Sequence, residues 1–169
     1  MMRSASRQAL AAVREAQHSA VSGRISVATM STIADELYAV AGVLVAQPRL
    51  RRALGDPASS AERRTALIER LLEGKVGKQT MAIATAAVRE RWSSAWDLTD
   101  ALEGAGDDTL FAAADKDGVL DRVEDELFRL ERILANEGEI TGLLDERTVA
   151  VERRTRLLDS LVEGKVAPV

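Results

Sequence analysis

The chain has 169 residues, of which 46% are apolar, 30% charged and 3% aromatic, with a formal net charge of −4 and no cysteine. That length suits one domain or two small ones, and the lack of cysteine excludes a disulfide framework, thiolate catalysis and thiolate metal sites. The mildly acidic balance lacks the basic footprint of a dedicated nucleic-acid binder, while the apolar share is that of a folded chain.

Taken in chain order, the sequence reads as helix and turn, rich in Ala, Leu, Arg and Glu. A first helix is predicted over about residues 5–21, with Leu10, Val13 and Val21 on one side. A second, over about 29–46, carries Ile33, Leu37, Val40 and Leu44 at three- and four-residue spacing. Pro48 suits the first turn of a short helix that reaches Leu54, before Gly55-Asp56-Pro57 breaks it. Ser59 and Glu62 have the spacing of a capping box for a fourth helix, which presents Leu67, Ile68, Leu71 and Leu72 and stops at Gly74. A fifth spans about 78–92. The sixth, over about 94–103, opens on a capping pair of Ser94 and Asp97, and Gly104 and Gly106 close this half.

Beyond residue 105 the chain repeats part of itself. Residues 35–76 match residues 125–166 without a gap, at an offset of 90, with 15 identities in 42 positions. Asp35-Glu36-Leu37-Tyr38 returns as Asp125-Glu126-Leu127-Phe128, Glu62-Arg63-Arg64-Thr65 as Glu152-Arg153-Arg154-Thr155, and Glu73-Gly74-Lys75-Val76 as Glu163-Gly164-Lys165-Val166. Leu67, Ile68, Leu71 and Leu72 map onto Leu157, Leu158, Leu161 and Val162. A period this long points to duplication of a domain-sized helical module, not to a solenoid. The first copy continues into two more helices, whereas the second has only Ala167-Pro168-Val169 after its helix at about 149–163. That open apolar face has to be covered, either by more of a longer protein or by a partner.

Chemistry is sparse. His18 has no carboxylate or nucleophile at helical spacing and reads as a surface or half-buried histidine. Asp115-Lys116-Asp117-Gly118 resembles the middle of a calcium loop, with Glu124 at its twelfth position, but Ala113 would stand first and supplies no carboxylate. A helix start capped by Asp117 is the better account. Gly74-Lys75-Val76-Gly77-Lys78-Gln79-Thr80 fails as a phosphate loop, because Gln79 follows the lysine and Leu72 holds the first glycine's place. The pairs Arg51-Arg52, Arg63-Arg64 and Arg153-Arg154 read as solvated helix faces. No nucleophile, base and oxyanion site assembles, so no enzyme, cofactor or metal is expected. The longest apolar run, Leu37–Ala46, is too short to span a bilayer, and no secretory signal opens the chain, so the expectation is a soluble chain. The fifth helix offers a surface instead. It is small-sided along Ala82, Ala84, Ala86 and Ala87, beside a stripe of Met81, Thr85, Val88 and Trp92. Such a face either packs inside a bundle or admits a partner helix.

The duplicated module and three phrases resemble one family, the delta subunits of F-type ATP synthases, whose mitochondrial relative is the oligomycin-sensitivity-conferring protein. The phrases are Ser6-Arg7-Gln8-Ala9-Leu10-Ala11-Ala12, Arg89-Glu90-Arg91-Trp92-Ser93, and the stretch DGVLDRVEDELFRLERIL over residues 117–134. The likeness is to the actinobacterial type, which carries such a duplication. It implies an all-α fold, with a six-helix N-terminal bundle over residues 1–105 and an incomplete second module over 106–169. It also implies a non-catalytic stator role at the top of the peripheral stalk, on the cytoplasmic face of the plasma membrane. In that family the bundle binds the N-terminal helix of an alpha subunit between its first and fifth helices. Carried over, the groove falls to Leu10, Val13, Met81, Thr85, Val88 and Trp92. The family's C-terminal domain, which meets the b subunit, has no counterpart in these residues. The alternative from another class is a stand-alone helical adaptor for an amphipathic helix of a regulatory partner.

Overall fold

Helices start and stop close to where capping residues stand in the sequence. The computed structural model describes residues 4–145, 151–163 and 166. Over these the chain is all-α: α1 (Ser4–Val21), α2 (Val27–Ala46), α3 (Pro48–Gly55), α4 (Ala61–Leu72), α5 (Lys78–Arg89), α6 (Ala95–Asp117), α7 (Leu120–Asn136), α8 (Gly138–Asp145) and α9 (Val151–Val162). Ser26 caps α2 by accepting the Thr29 N–H, Pro48 opens α3, and Gly74, at φ 69°, follows α4 in the left-handed conformation that glycine adopts without penalty. The predicted Val149 and Ala150, and Gly164 and Lys165 of the last repeated phrase, lie outside the described residues.

Contacts divide the chain into two units, Met1–Ala113 and Ala114–Val169. In the first, α2 supplies the core's spine: Ile33, Leu37, Val40, Ala41 and Leu44 are buried at the predicted spacing. Around them close Ala9 and Val13 of α1, Leu54 of α3, Ile68 and Leu72 of α4, Ile83 and Val88 of α5, and Leu98 and Leu102 of α6. Each large side chain so buried contributes about 1.5–3 kcal/mol. By length and composition α2 is also the one helix among the described residues apolar enough to cross a membrane, a property it shares with buried core helices.

Four expectations need correction. The fourth helix is capped by Ser60, not Ser59: the Ser60 hydroxyl accepts the Arg63 N–H, and Glu62 stands inside the first turn. The fifth ends at Arg89, so Trp92 lies beyond it, its indole N–H donating to the Ala87 carbonyl at 2.8 Å. The sixth does not stop at Gly104 and Gly106 but runs on to Asp117, so a boundary at residue 105 would fall within a helix. Gly106 is needed there for space, because a Cβ would come within 2.8 Å of the Tyr38 ring. Asp117 ends α6 instead of capping the next helix. The Gly118 and Val119 amides donate back to the Asp115 and Ala114 carbonyls, with Gly118 at φ 74°, which is a Schellman stop.

The second unit holds α7, α8 and α9, and their ends reproduce those of the first at the offset of the repeat. α2 ends at Ala46 and α7 at Asn136, α3 spans Pro48–Gly55 and α8 Gly138–Asp145, and α4 spans Ala61–Leu72 and α9 Val151–Val162. The burial differs: Leu37 is fully buried, while Leu127 at the same repeat position is 47% exposed.

Candidate partner-binding groove

The fifth helix is held at both ends by charges from other helices. At its N-terminus Gly77 offers no side-chain cap, and the Glu36 carboxylate of α2 accepts the Gly77 N–H at 3.0 Å and the Thr80 hydroxyl. At its C-terminus the guanidinium of Arg64, from α4, donates to the carbonyls of Val88 at 2.7 Å, Arg89 at 3.0 Å and Glu90 at 3.1 Å. It reaches the Asp56 and Ser59 carbonyls as well. An anion at the N-terminus and a cation at the C-terminus both complement the helix dipole. Arg64 is only 3% exposed, and these carbonyls supply the partners that a buried cation requires. The expectation of solvated arginine faces is therefore wrong for Arg64. It is wrong too for Arg51, which is buried, donates to the Leu44 carbonyl at the end of α2, and stacks 3.6 Å from the Trp96 ring centroid.

Between α4 and α5 the surface opens into a groove of about 650 Å³. Val76, Met81, Ala82, Thr85 and Ala86 make its floor, with Glu69 and Glu73 on the α4 side and Lys78 and Arg89 on α5. The alanines permit close approach, and the charges at the rim are of both signs.

The six groove residues expected from sequence are not brought together. Met81 and Thr85 line this groove; Leu10 and Val13 line a separate hollow of about 230 Å³ between α1 and α6, beside Arg14, Asp108 and Phe111. Val88 is fully buried and Trp92 is 4% exposed, so both belong to the core. The alanine stripe divides likewise. Ala84 and Ala87 pack inside, whereas Ala82 and Ala86 face the groove. The Thr85 hydroxyl is buried without a hydrogen-bond partner. Sequence reasoning missed the capping roles of Glu36 and Arg64, although both stand in the tetrapeptides that the repeat preserves. Among the described residues no group of acidic or histidine side chains could hold a metal ion.

Over the described residues the chain is an all-helical scaffold with a groove floored by small side chains along α5. Comparison with known sequences shows what the chain resembles. Residues 108–169 match the family "ATP synthase delta (OSCP) subunit". Over 168 residues, 99% of this chain and 61% of the relative, the sequence is 42% identical to ATP synthase subunit delta of Streptomyces griseus. It is 39% identical over 169 residues to that of Acidothermus cellulolyticus, covering 62% of it, and 43% identical over 140 residues to that of Salinispora arenicola, covering 51%. The chain is thus similar to actinobacterial proteins named ATP synthase subunit delta, and it spans about three fifths of the length of the first of them. Each of these relatives is named as a subunit of ATP synthase.

Proposed function

We infer that this chain acts as a non-catalytic component of the peripheral stalk of an F-type ATP synthase, and that it holds the catalytic head by seating the N-terminal helix of an alpha subunit. The relatives, all named as delta subunits, support the stalk assignment. One observation carries the seat: the groove along α5, floored by Met81, Ala82, Thr85 and Ala86, on a helix tied down at both ends. An amphipathic helix about 10–12 Å wide lays an apolar face in such a groove, and its polar flanks meet rim charges of both signs. A stator carries torque continuously, so what matters is slow dissociation, and a seat that does not deform favours it. The complex would place the chain at the cytoplasmic face of the plasma membrane as a peripheral component.

Calorimetry with a peptide copying the N-terminus of the same organism's alpha subunit tests this reading. The expected result is saturable one-to-one binding that Ala82→Glu weakens at least about tenfold, since a carboxylate on the floor loses its hydration when the helix docks. Ala82 is exposed, so the variant keeps its fold, which circular dichroism checks. Absence of binding, or equal affinity in the variant, would exclude this groove.

A further inference from the structure

Beside α1, the surface of α6 opens into the hollow of about 230 Å³ noted above. Leu10 and Val13 of α1 line it with Ala101, Gly104 and Ala105 of α6, and Phe111, 41% exposed, stands beside them. Gly104 gives the hollow room, since a Cβ there would meet nothing within 4 Å. An apolar cavity of about 150 Å³ admits a benzene-sized group, whereas drug-sized ligands take about 300 Å³ or more. The hollow therefore suits one leucine or phenylalanine side chain, not a whole cofactor.

The charges next to it say what kind of segment carries that side chain. Along α6 the exposed residues Trp96, Asp100, Glu103, Asp107 and Phe111 follow one another at steps of three and four. That spacing sets them on one face of the helix, with acids in the middle and an aromatic ring at each end. Asp107 belongs to both features, because it also lines the hollow. Carboxylates at such steps repel one another, and no ion pair among the described residues reaches Asp100, Glu103 or Asp107. The nearby Arg14 faces Asp108 instead, at 3.7 Å, and Tyr38, which donates to Asp107, is neutral. Glu103 registers the crowding: desolvation, then Asp100 and Asp107, raise its pKa. Among the described residues no group of acids converges where a metal ion could sit. What answers spaced carboxylates is a row of spaced cations.

We propose that the hollow between α1 and α6 is a second docking seat, taken by a basic amphipathic helix of a partner protein. One leucine- or phenylalanine-sized side chain fills the hollow, while lysines or arginines at steps of three and four meet Asp100, Glu103 and Asp107. A helix lying along α6 supplies both, because its side chains recur at the same period as the row. From Asp100 to Asp107 the row extends about 10 Å, or roughly two turns of such a partner. The acids also choose the partner, since they repel an acidic segment and speed the approach of a basic one. This seat lies on α1 and α6, so it does not rest on the seating of an alpha-subunit helix between α4 and α5.

The test uses the full 169-residue chain and a synthetic alanine-based helix of about 18 residues. The probe carries lysines at the spacing of the acids and one leucine next to the middle lysine. A control peptide has glutamate in place of each lysine. Calorimetry is expected to show saturable one-to-one binding of the lysine peptide alone, with nitrogen-15 shifts centred on Gly104, Asp107 and Phe111. Glu103→Lys, which reverses a charge at an exposed position, should weaken binding at least about tenfold. Gly104→Leu, which fills the hollow and leaves every charge in place, should do the same, with circular dichroism verifying the fold. Ala82→Glu should bind the probe as the unaltered chain does, which separates this seat from the groove along α5. The proposal is overturned if the lysine peptide does not saturate, if the glutamate peptide binds as well, or if the shifts fall elsewhere. Unchanged affinity in Glu103→Lys or in a folded Gly104→Leu overturns it too, as does weakening by Ala82→Glu.

Discussion

Gly104 and Gly106 stand two residues apart in α6, and only one of them is required. A Cβ at Gly104 meets nothing within 4 Å, whereas one at Gly106 would press on the Tyr38 ring, whose hydroxyl donates to Asp107 at 2.6 Å. Burial of the phenol, then its hydrogen bond to Asp107, pushes the Tyr38 pKa above its ordinary value, so it stays a donor across the neutral range. Gly104→Ala is expected to stabilise the first unit by about 0.5–1 kcal/mol through helix propensity. Gly106→Ala is expected to destabilise it despite the same propensity gain, and urea unfolding monitored by circular dichroism separates the two. Arg64 is the larger liability. Arg64→Met leaves several carbonyls at the end of α5 without donors, and should cost about 3 kcal/mol or more in the same assay. Thr85→Val runs the other way: it removes a buried hydroxyl that has no partner and keeps the shape, so stability should hold or rise.

Among the elements, α6 carries a row of acids that strains against itself. Desolvation, then the neighbouring Asp97, raises the pKa of Asp100; desolvation, then Asp100 and Asp107, raises that of Glu103. A carboxyl with a raised folded pKa holds its proton more tightly in the folded chain than in the unfolded one. Its contribution to stability is therefore lost as pH rises above the ordinary carboxylate values, and acidification toward them restores it. Glu62 opposes this: its own backbone N–H, then the Ser60 hydroxyl, lower its pKa, so its contribution is lost as pH falls through the folded value. Glu103→Gln should raise the melting temperature at pH 7 by about 1–2 °C and flatten its pH dependence in the acid range. The same helix shows where sequence reading fails. Two glycines in three residues signal a stop, yet the close packing of Tyr38 on Gly106 uses the missing side chain and lets the helix continue. Helix ends set by local signals, such as Pro48 in the first turn of α3 and Gly74 after α4, were legible because nothing distant contributes to them. The groove was half legible. Helical spacing puts Met81 and Thr85 on one face, but only packing decides that Val88 and Trp92 turn inward. The clamps on α5 were hidden because Glu36 and Arg64 cap a helix distant from them in sequence, which no local pattern records.

Across the whole molecule, a complete helical unit precedes one built on the same phrases and left open. In the first, six helices contribute to one core; in the second, Leu127, Phe128, Ile133 and Leu143 stay exposed. The match to the delta-subunit family falls on residues 108–169, most of them in the open unit, while the proposed seat for the alpha-subunit helix lies in the complete one. Nuclear magnetic resonance mapping of the alpha-subunit N-terminal peptide on the labelled full chain decides between the units directly. The account predicts saturable one-to-one shifts along Met81, Ala82, Thr85 and Ala86, and on Glu69 and Glu73 across the groove. Shifts confined to α7, α8 and α9, or none at all, would contradict it.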